Sequence, residues 1–523
     1  MITNKRTYLA FGLSMWLAAA SPSMAQSPTV TLQSTDGTIE LVGELLSFDG
    51  QFYEIATTLG ALRVSAGFVS CVGGGCPETE AAGDADLTLL GSSDISTSLV
   101  PLLLSGYAGH IGAESETSIQ SDPSISDLAL TANQGFGDQI GTFRVVTGNS
   151  TAGFEALIDG EADIGLSARR IQRDEVRILG DSGAGNMIDP ANEVVVALDS
   201  LTIIVNRENP ISSISLVDLA RIYNGEITNW QQLGGENLPI RAFGRNTNTA
   251  AHTAFTSSVL GNVPSSVARG AESDVDISVE VNKDPGAIGY VGLSVQRQNN
   301  AVTLLDSCGL RYTPSRFATK TEEYPLVRRL YMYQRSDNIS PVHNDFMDYV
   351  RSQFADSVIA KAGFVDLGME RLSQLDQIES QRAYLSNIDD DFLQEQSVDY
   401  LDKATLWDRL SITMRFATAS TELDAKSERD VQRLISYLET LPSDAKLAVV
   451  GFTDSDGPSS ANLLLGEQRA GAVSRLLNDR LAQESVTADL EIMSFGELGP
   501  VACNTTADGK ANNRRVEIWI SNQ

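Results

Sequence analysis

The sequence predicts a multidomain α/β protein with a small all-β module at its N-terminus. Three changes of pattern along the 523 residues indicate this: short alternating strands come first, strands alternating with helices follow, and a β-α-β-α-β-β order closes the chain. Hydrophobic residues make up 42% of the chain, enough for each domain to bury a core. The boundaries we predict are 1–25 for a signal peptide, 26–80 for the β module, 85–370 for the α/β domain, 371–407 for a helical, acidic linker and 408–523 for the last domain.

Residues 1–25 have the three parts of a secretory signal peptide. Lys5 and Arg6 form the charged start, residues 9–20 form a short apolar run, and Ser23-Met24-Ala25 is a small-residue cleavage site. A transmembrane anchor is the alternative, but the run is too short to span a bilayer. The sequence therefore predicts an exported protein that is cleaved near Ala25 and has no transmembrane segment in its mature chain.

The β module is predicted from residues 29–70, which alternate like short strands between turn signals such as Asp49-Gly50. Cys71 and Cys76 enclose a short glycine-rich loop, which predicts a disulfide in an oxidising compartment. A metal site is the rival interpretation, but no His or second Cys pair lies nearby in sequence. Cys308 and Cys503 either pair across domains or stay free, and the sequence leaves both open.

From Leu87 to about Gly368, strands alternate with helices, which predicts parallel sheets with crossover helices. The expected strands include 87–90, 162–165 and two extended stretches within 193–205. Helices are expected at 98–108, 151–159 and 216–224. In the last domain we expect strands at 412–416, 447–452, 490–495 and 515–520, and helices around Val431 to Leu438 and over 461–481.

The chain has 38 basic and 68 acidic residues, a net charge of −30. Such a surface repels nucleic acid and anionic lipid, so nucleic-acid partners are excluded. Any anion site must be built locally, against the field of the whole molecule.

Three junctions between a strand and a helix carry small hydroxyl residues: 91–94 (GSSD), 148–153 (GNSTAG) and 245–249 (RNTNT). The N-terminus of a helix offers unpaired N–H groups and a partial positive charge, so it binds oxyanions. Each Ser or Thr alone is more often a simple N-cap. If the three junctions face one cleft, they form a site for a tetrahedral anion.

The middle domain resembles periplasmic phosphate-binding proteins of the PstS-like type. The resemblance lies in residues 154–165 (FEALIDGEADIG), 219–230 (LARIYNGEITNW) and 281–290 (VNKDPGAIGY), and extends over about 87–368. It implies a type II periplasmic-binding-protein fold, in which two α/β lobes close on a ligand at a hinge. An ABC transporter permease is the partner that such a resemblance suggests.

The family's ligand site maps onto this sequence with substitutions. Ser150 and Arg245 fall on a ligand serine and the ligand arginine, and Thr249 falls on the serine of an "SGT" turn. Asp94 stands where a threonine is expected, and Ala168 where an aspartate accepts a proton from phosphate. Asp94 either takes over that role or repels dianions. The oxyanion-binding residues implied are Ser92, Ser93, Asp94, Ser150, Thr151, Arg169, Arg245 and Thr249.

The last domain resembles the OmpA-like peptidoglycan-binding domain over about 408–523, through the pattern TDxxG…NxxLSxxRA…NRRVE. Asp454 and Arg469 keep the family's spacing, and the resemblance implies that they hold the ammonium and carboxylate of diaminopimelate in peptidoglycan stem peptides. Asn462 and Arg514 are expected to shape the pocket. The alternative is that Asp454 and Arg469 form a surface salt bridge worth under about 1 kcal/mol.

The combined pattern predicts a wall-tethered periplasmic protein that binds phosphate or a similar oxyanion for uptake or sensing, located in the periplasm or at the inner face of the outer membrane. The alternative is a structural envelope protein that links peptidoglycan to a protein partner, with its solute site lost or altered. An enzyme is not expected, because the three His residues lack metal-ligand spacing and the chain has no nucleophile elbow or P-loop. No cofactor or metal is expected.

Overall fold

The computed structural model describes residues 29–34, 39–48, 52–58, 60–65, 69–76, 85–132, 139–247, 249–337, 340–375, 378, 385, 388–415, 425–442 and 445–522. The predicted signal peptide, 1–25, lies outside these residues. The chain forms two compact units, residues 1–84 with 134–139 and residues 85–133 with 140–523. In the described part of the chain, no helix combines the length and apolar character that crossing a membrane requires.

The first unit contains a five-stranded antiparallel sheet in the order β4-β3-β2-β1-β5. Alternate side chains such as Val30, Leu32, Tyr53 and Ile55 are buried, as the period of two in a strand requires. A disulfide joins Cys71, within the last strand, to Cys76, just after that strand. The strands are β1 (Thr29–Ser34), β2 (Glu40–Phe48), β3 (Phe52–Thr57), β4 (Gly60–Ser65) and β5 (Val69–Val72).

The second unit begins with the first lobe of the α/β domain. Its strands β6, β9 and β10 are parallel and form the centre of the sheet, with helices packed against them. Its elements are β6 (Leu87–Ser92), α1 (Ser93–Ser96), α2 (Val100–His110), β7 (Ala113–Ile119), β8 (Ile125–Ala132), β9 (Gln139–Gly148), α3 (Ser150–Asp159), β10 (Ile164–Ser167), α4 (Arg173–Asp181) and β11 (Glu193–Val205).

The second lobe follows, and the chain then returns to the first. The second lobe contains β12 (Ser213–Ser215), α5 (Leu216–Tyr223), β13 (Arg241–Arg245), α6 (Ala250–Val259), β14 (Arg269–Ala271), α7 (Asp274–Lys283), β15 (Ala287–Gly292), β16 (Asn300–Ala301), β17 (Thr303–Leu305), β18 (Arg311–Tyr312) and α8 (Arg316–Lys320). The returning elements are β19 (Val327–Gln334), α9 (Pro341–Arg351) and α10 (Asp356–Lys361).

Strand β11 connects the two lobes. All 13 of its residues are buried. Its first part, 193–200, pairs with β19, and its second part, 201–205, pairs with β15 of the second lobe. The expectation of two extended stretches here was wrong, since one continuous strand spans them. The expected parallel strand pairs are present in both lobes, but the sheet is mixed, because β19 returns from the second lobe and runs antiparallel to both β10 and β11. The predicted two-lobed α/β fold is confirmed.

The C-terminal domain has one five-stranded sheet in the order β20-β21-β24-β22-β23. Its elements are β20 (Arg371–Ser373), α11 (Asp391–Leu406), β21 (Trp407–Arg415), α12 (Ala425–Leu438), β22 (Lys446–Phe452), α13 (Ser459–Gln483), β23 (Asp489–Gly496), α14 (Ala507–Asn513) and β24 (Arg515–Ser521). The predicted β-α-β-α-β-β order is present, with one short helix, α14, added before the last strand.

Residues 371–407 are more than the connector that the sequence suggested. Strand β20 pairs with β21 and thereby joins the C-terminal sheet. Helix α11 buries Tyr400, whose ring packs against the rings of Phe495 and Trp519. Three described parts of the predicted linker therefore belong to the C-terminal domain: strand β20, helix α11 and Trp407.

The C-terminal domain packs directly on the α/β domain through buried charges and a disulfide. Cys308 and Cys503 are bonded to each other, which settles the two alternatives left open by the sequence. Arg409, fully buried, pairs with Glu323, and Arg415 pairs with Glu322. Burial opposes the ionisation of Glu322, but Arg329, Lys426 and Arg415 outweigh it and lower the pKa of this carboxyl to about 2.

This pKa predicts that the folded protein loses stability in acid. A carboxyl whose pKa falls on folding contributes stability above its unfolded pKa, and this contribution disappears as the pH drops through the folded value. We expect Glu322→Gln to lower the free energy of unfolding at pH 7 by about 3 kcal/mol, from the shift of the Glu pKa. It should also flatten the loss of stability between about pH 4.5 and pH 2. Urea unfolding at several pH values measures both. The exposed Glu226→Gln is the control, and an equal effect there would refute the assignment.

Candidate functional site

The cleft between the two lobes contains two adjoining cavities of about 500 Å³ each. They share Ser93 of the first lobe, Thr249 of the second and Arg328 at the start of β19. All eight residues predicted to bind an oxyanion line one cavity or both. One cavity has Ser92, Ser93, Ser150, Thr151, Arg169 and Thr249, and the other has Ser93, Asp94, Arg245 and Thr249.

Sheet topology explains why these residues meet. Ser93, Ser150 and Ala168 follow the carboxyl ends of the parallel strands β6, β9 and β10. Thr249 and Asp274 likewise follow the parallel strands β13 and β14 of the second lobe. Ligands of open α/β sheets bind in the crevice at the carboxyl ends of the strands.

The hydroxyl residues have local partners. Thr249 is the N-cap of α6: its hydroxyl accepts from the His252 N–H at 3.2 Å and donates to the Asn246 carbonyl at 2.8 Å. At α3 the cap is Asn149, while the Ser150 hydroxyl accepts from the Ala168 N–H at 3.1 Å. This last bond links two of the strand ends that line the cleft.

Two of the predicted residues are arginines, and both are already paired with carboxylates. Arg245 forms a 2.6 Å ion pair with Asp274 and donates to the Glu272 carbonyl. Arg169 makes a bidentate ion pair with Glu175. An anion that enters the cleft must share these guanidinium groups with protein carboxylates.

Arg328 is a cleft residue that the sequence did not single out. Its guanidinium donates to Asp94 at 2.7 Å and to Asp199 at 2.7 and 2.9 Å, and its side chain is 9% exposed. Burial opposes its charge, but Asp199 and Asp94 outweigh burial and raise the pKa of Arg328. Burial raises the pKa of Asp199, and Arg328 opposes that shift only in part. A charged residue beginning a largely apolar strand was the only sequence signal for Arg328.

Asp94 therefore has a structural partner that the sequence did not indicate. Two cations, Arg245 and Arg328, line the second cavity together with four acidic residues, Asp94, Asp199, Glu272 and Asp274. If every group is ionised, the local charge is −2, which opposes the entry of a dianion.

In the C-terminal domain, Asp454 and Arg514 form a 2.7 Å ion pair. Arg469 donates instead to the Phe452 carbonyl at 3.4 Å. Burial lowers the pKa of Arg469; the charge of Asp454 opposes this shift and that of Arg514 adds to it. The alternative of a surface salt bridge between Asp454 and Arg469 is not what the structure contains, because Arg514 occupies that role.

Asn462 supports the loops around this cluster. It is buried at the start of α13, and its amide donates to the Glu497 carboxylate at 2.5 Å. Glu497 directly follows β23 at the same edge of the sheet as Asp454.

Two glycines set the distance between α13 and β22, the strand that leads to Asp454. A Cβ on Gly451 would lie 1.9 Å from the Gly466 carbonyl oxygen, and one on Gly466 would lie 2.3 Å from the Ser494 hydroxyl. A side chain at either position would therefore force α13 away from β22 or displace Ser494.

Comparison with known families agrees with this division. Residues 107–353 match the PBP superfamily domain, and residues 415–514 match the OmpA family.

Individual relatives cover parts of the chain. Protein SphX of Synechococcus elongatus is 31% identical over 35% of this chain and 56% of its own length. Phosphate-binding protein PstS of Borreliella burgdorferi is 22% identical over 42% of this chain and 77% of its own. Peptidoglycan-binding protein ArfA of Mycobacterium bovis is 34% identical over 17% of this chain and 27% of its own. The chain thus spans little more than half of SphX and about a quarter of ArfA.

The contact between Gly451 and Gly466 can be tested directly. We expect Gly451→Ala to lower the free energy of unfolding of the C-terminal domain by about 1 to 3 kcal/mol, because the added methyl forces α13 away from β22. Gly471→Ala, on helix α13, is the matched control. Its Cβ would meet only the flexible Arg475 side chain at 3.6 Å. Alanine there should be neutral or stabilise by up to about 1 kcal/mol. Equal thermal shifts for the two variants would contradict the argument.

Proposed function

Because the chain carries a PBP superfamily domain followed by an OmpA family domain, we propose that it is a periplasmic solute-binding protein tethered to peptidoglycan. Its cleft binds phosphate or a similar oxyanion for uptake or sensing, and its C-terminal domain binds the wall. The observation that carries the proposal is the convergence of all eight predicted ligand residues, from both lobes, on adjoining cavities.

The charges of the cleft favour a monoanion that still carries a proton. Monobasic phosphate brings one negative charge and a hydroxyl that can donate to a carboxylate oxygen. Sulfate brings two charges and no proton, so it meets the local net charge of −2 without compensation. Asp94 is the acceptor that we propose for the ligand proton, since it lines the cavity opposite Thr249 and Arg245 and no Asp stands at Ala168.

The wall site is proposed to be the cluster of Asp454, Arg469 and Arg514. One carboxylate and two guanidinium groups match the ammonium and carboxylate of diaminopimelate. Asp454 exchanges its bond to Arg514 for the ligand ammonium, which leaves two arginines for the carboxylate. The name of ArfA, a peptidoglycan-binding protein, supports this ligand class.

The cleft is tested by calorimetric titration of the full chain with inorganic phosphate. We expect Arg245→Ala to weaken binding by about one to two orders of magnitude, the loss of a charge-assisted hydrogen bond. Arg241→Ala, at the exposed start of the same strand, should bind like the unaltered protein.

Sulfate provides the second arm of this titration. Sulfate binding as tight as phosphate would remove the role given to Asp94. If neither anion gives heat at millimolar concentration, the oxyanion proposal fails, and a structural protein linking the wall to a protein partner takes its place.

The wall site is tested by sedimentation with purified peptidoglycan. Asp454→Ala and Arg469→Ala should each leave the protein in the supernatant, while Lys510→Ala should sediment normally. Lys510, on helix α14, forms an ion pair with Asp456, two residues after Asp454. The proposed ligand contacts do not include it. Circular dichroism confirms that the variants are folded. Normal sedimentation of the Asp454→Ala, Arg469→Ala double variant would show that the wall binds elsewhere.

A further inference from the structure

The C-terminal domain contacts both lobes of the α/β domain. Helix α12 reaches the first lobe through Arg429 and Arg433. The loop after β23 and the strand β21 reach the second lobe through Cys503 and Arg409. A rotation of one lobe against the other therefore strains one of these two attachments.

Arg429 binds the connecting strand itself. Its guanidinium donates to the Val195 carbonyl and, at 3.2 Å, to the Val350 carbonyl at the end of α9. The pairing of β11 with β19 shifts by one residue between Val195 and Ala197. Such a bulge disrupts the ladder and bends the strand. Arg429 thus binds a main-chain carbonyl at the bend in the strand that both lobes share.

Arg433 lies one helical turn further along α12. It forms an ion pair of 2.8 Å with Asp356, the first residue of α10 in the first lobe. Its side chain is 10% exposed, so little solvent screens the pair. Two arginines on one helix face therefore fix α12 to β11, α9 and α10.

The attachment to the second lobe is covalent. Cys503 is bonded to Cys308 and lies within the hydrophobic cluster of that lobe. Arg409 adds an ion pair with Glu323, with an N–O distance of 3.1 Å for the bond from Nη1. All the cations named here belong to the C-terminal domain, and their partners in the α/β domain are carboxylates or carbonyls.

We propose that Arg429 and Arg433 are positioning residues of the cleft: by holding α12 on the first lobe while the disulfide holds the second, they fix the separation of the lobes at the one that binds ligand. This inference rests on the proposed oxyanion function. It follows from the cavity that contains Ser150 of the first lobe and Thr249 of the second, because both lobes already face one ligand space in the docked arrangement. Release of α12 lets the lobes sample other separations. The apparent affinity then falls in proportion to the fraction of molecules that still have the separation that binds ligand.

The test measures the lobe separation and the affinity in the same full-length variants. Nitroxide labels on Glu155→Cys in the first lobe and Glu236→Cys in the second report the distance distribution between the lobes. Arg433→Glu should place two carboxylates together, release α12, broaden that distribution and weaken inorganic phosphate binding at least fivefold. The charge swap Arg433→Glu, Asp356→Arg should restore both. A merely structural arginine would not move the distance distribution in a folded protein.

Arg480→Ala is the matched control, because it removes an ion pair between Arg480 of α13 and Glu428 of α12 that does not touch the α/β domain. It should leave the distances and the affinity unchanged. Should Arg433→Glu fail to fold, the Cys308→Ser, Cys503→Ser variant releases the other attachment and should give the same broadening. An unchanged distribution in a folded release variant overturns the proposal, and so does tighter phosphate binding. If the unaltered chain does not bind phosphate, the oxyanion function fails. The distance measurement still decides whether the attachment of α12 fixes the separation of the lobes.

Discussion

The two lobes depend on one buried strand, β11. Its first half pairs with β19, and its second half pairs with β15 of the second lobe. Its side chains are apolar except at Glu193 and near the point where its partner changes from β19 to β15. There Asp199, Ser200 and Thr202 are buried. Burial raises the pKa of Asp199, and Arg328, at the start of the returning strand β19, opposes this shift by donating to the carboxylate twice. Arg328 also donates to Asp94 of the first lobe. One guanidinium group therefore joins the two connecting strands, β11 and β19, to a residue that lines the cleft. Removing one member of a buried ion network leaves uncompensated charge, so the crossing tolerates little change.

The same constraint shapes the chemistry of the cleft. If a chain of net charge −30 is to bind an anion, it has to concentrate its cations at the binding site. Three arginines line the cleft, yet each is balanced by a carboxylate within the protein. This balance stabilises the folded site in the absence of ligand. It also means that the charge of an anion decides how strongly the cleft attracts or repels it. The small hydroxyl residues add hydrogen bonds that any tetrahedral oxyanion can accept.

Local pattern predicted most elements, because periodicity and motif order are properties of short segments. It located the junctions at Ser93, Ser150 and Thr249, which the structure places around one cleft. It missed what depends on long-range pairing. Arg514 is the partner of Asp454 because β24 lies beside β22 in the sheet, a neighbourhood that no spacing along the chain reveals. Strand β20 escaped notice because its three residues carry no periodic signal and are held only by pairing with β21.

The disulfide between Cys308 and Cys503 ties the two proposed binding sites together through neighbouring residues. Asn504, next to Cys503, accepts from the Ser455 N–H at 3.3 Å and from the Asn513 amide at 3.0 Å. Ser455 follows Asp454, and Asn513 precedes Arg514, so both halves of the proposed wall site rest on the residue beside the disulfide. The other sulfur is fixed on the second lobe, whose Thr249 lines the solute cleft. A disulfide and two hydrogen bonds therefore connect the second lobe to the residues that flank Asp454 and Arg514. Because Asn513 is fully buried, its hydrogen bond to Asn504 is shielded from water and holds the loop at Cys503 beside the residue that precedes Arg514.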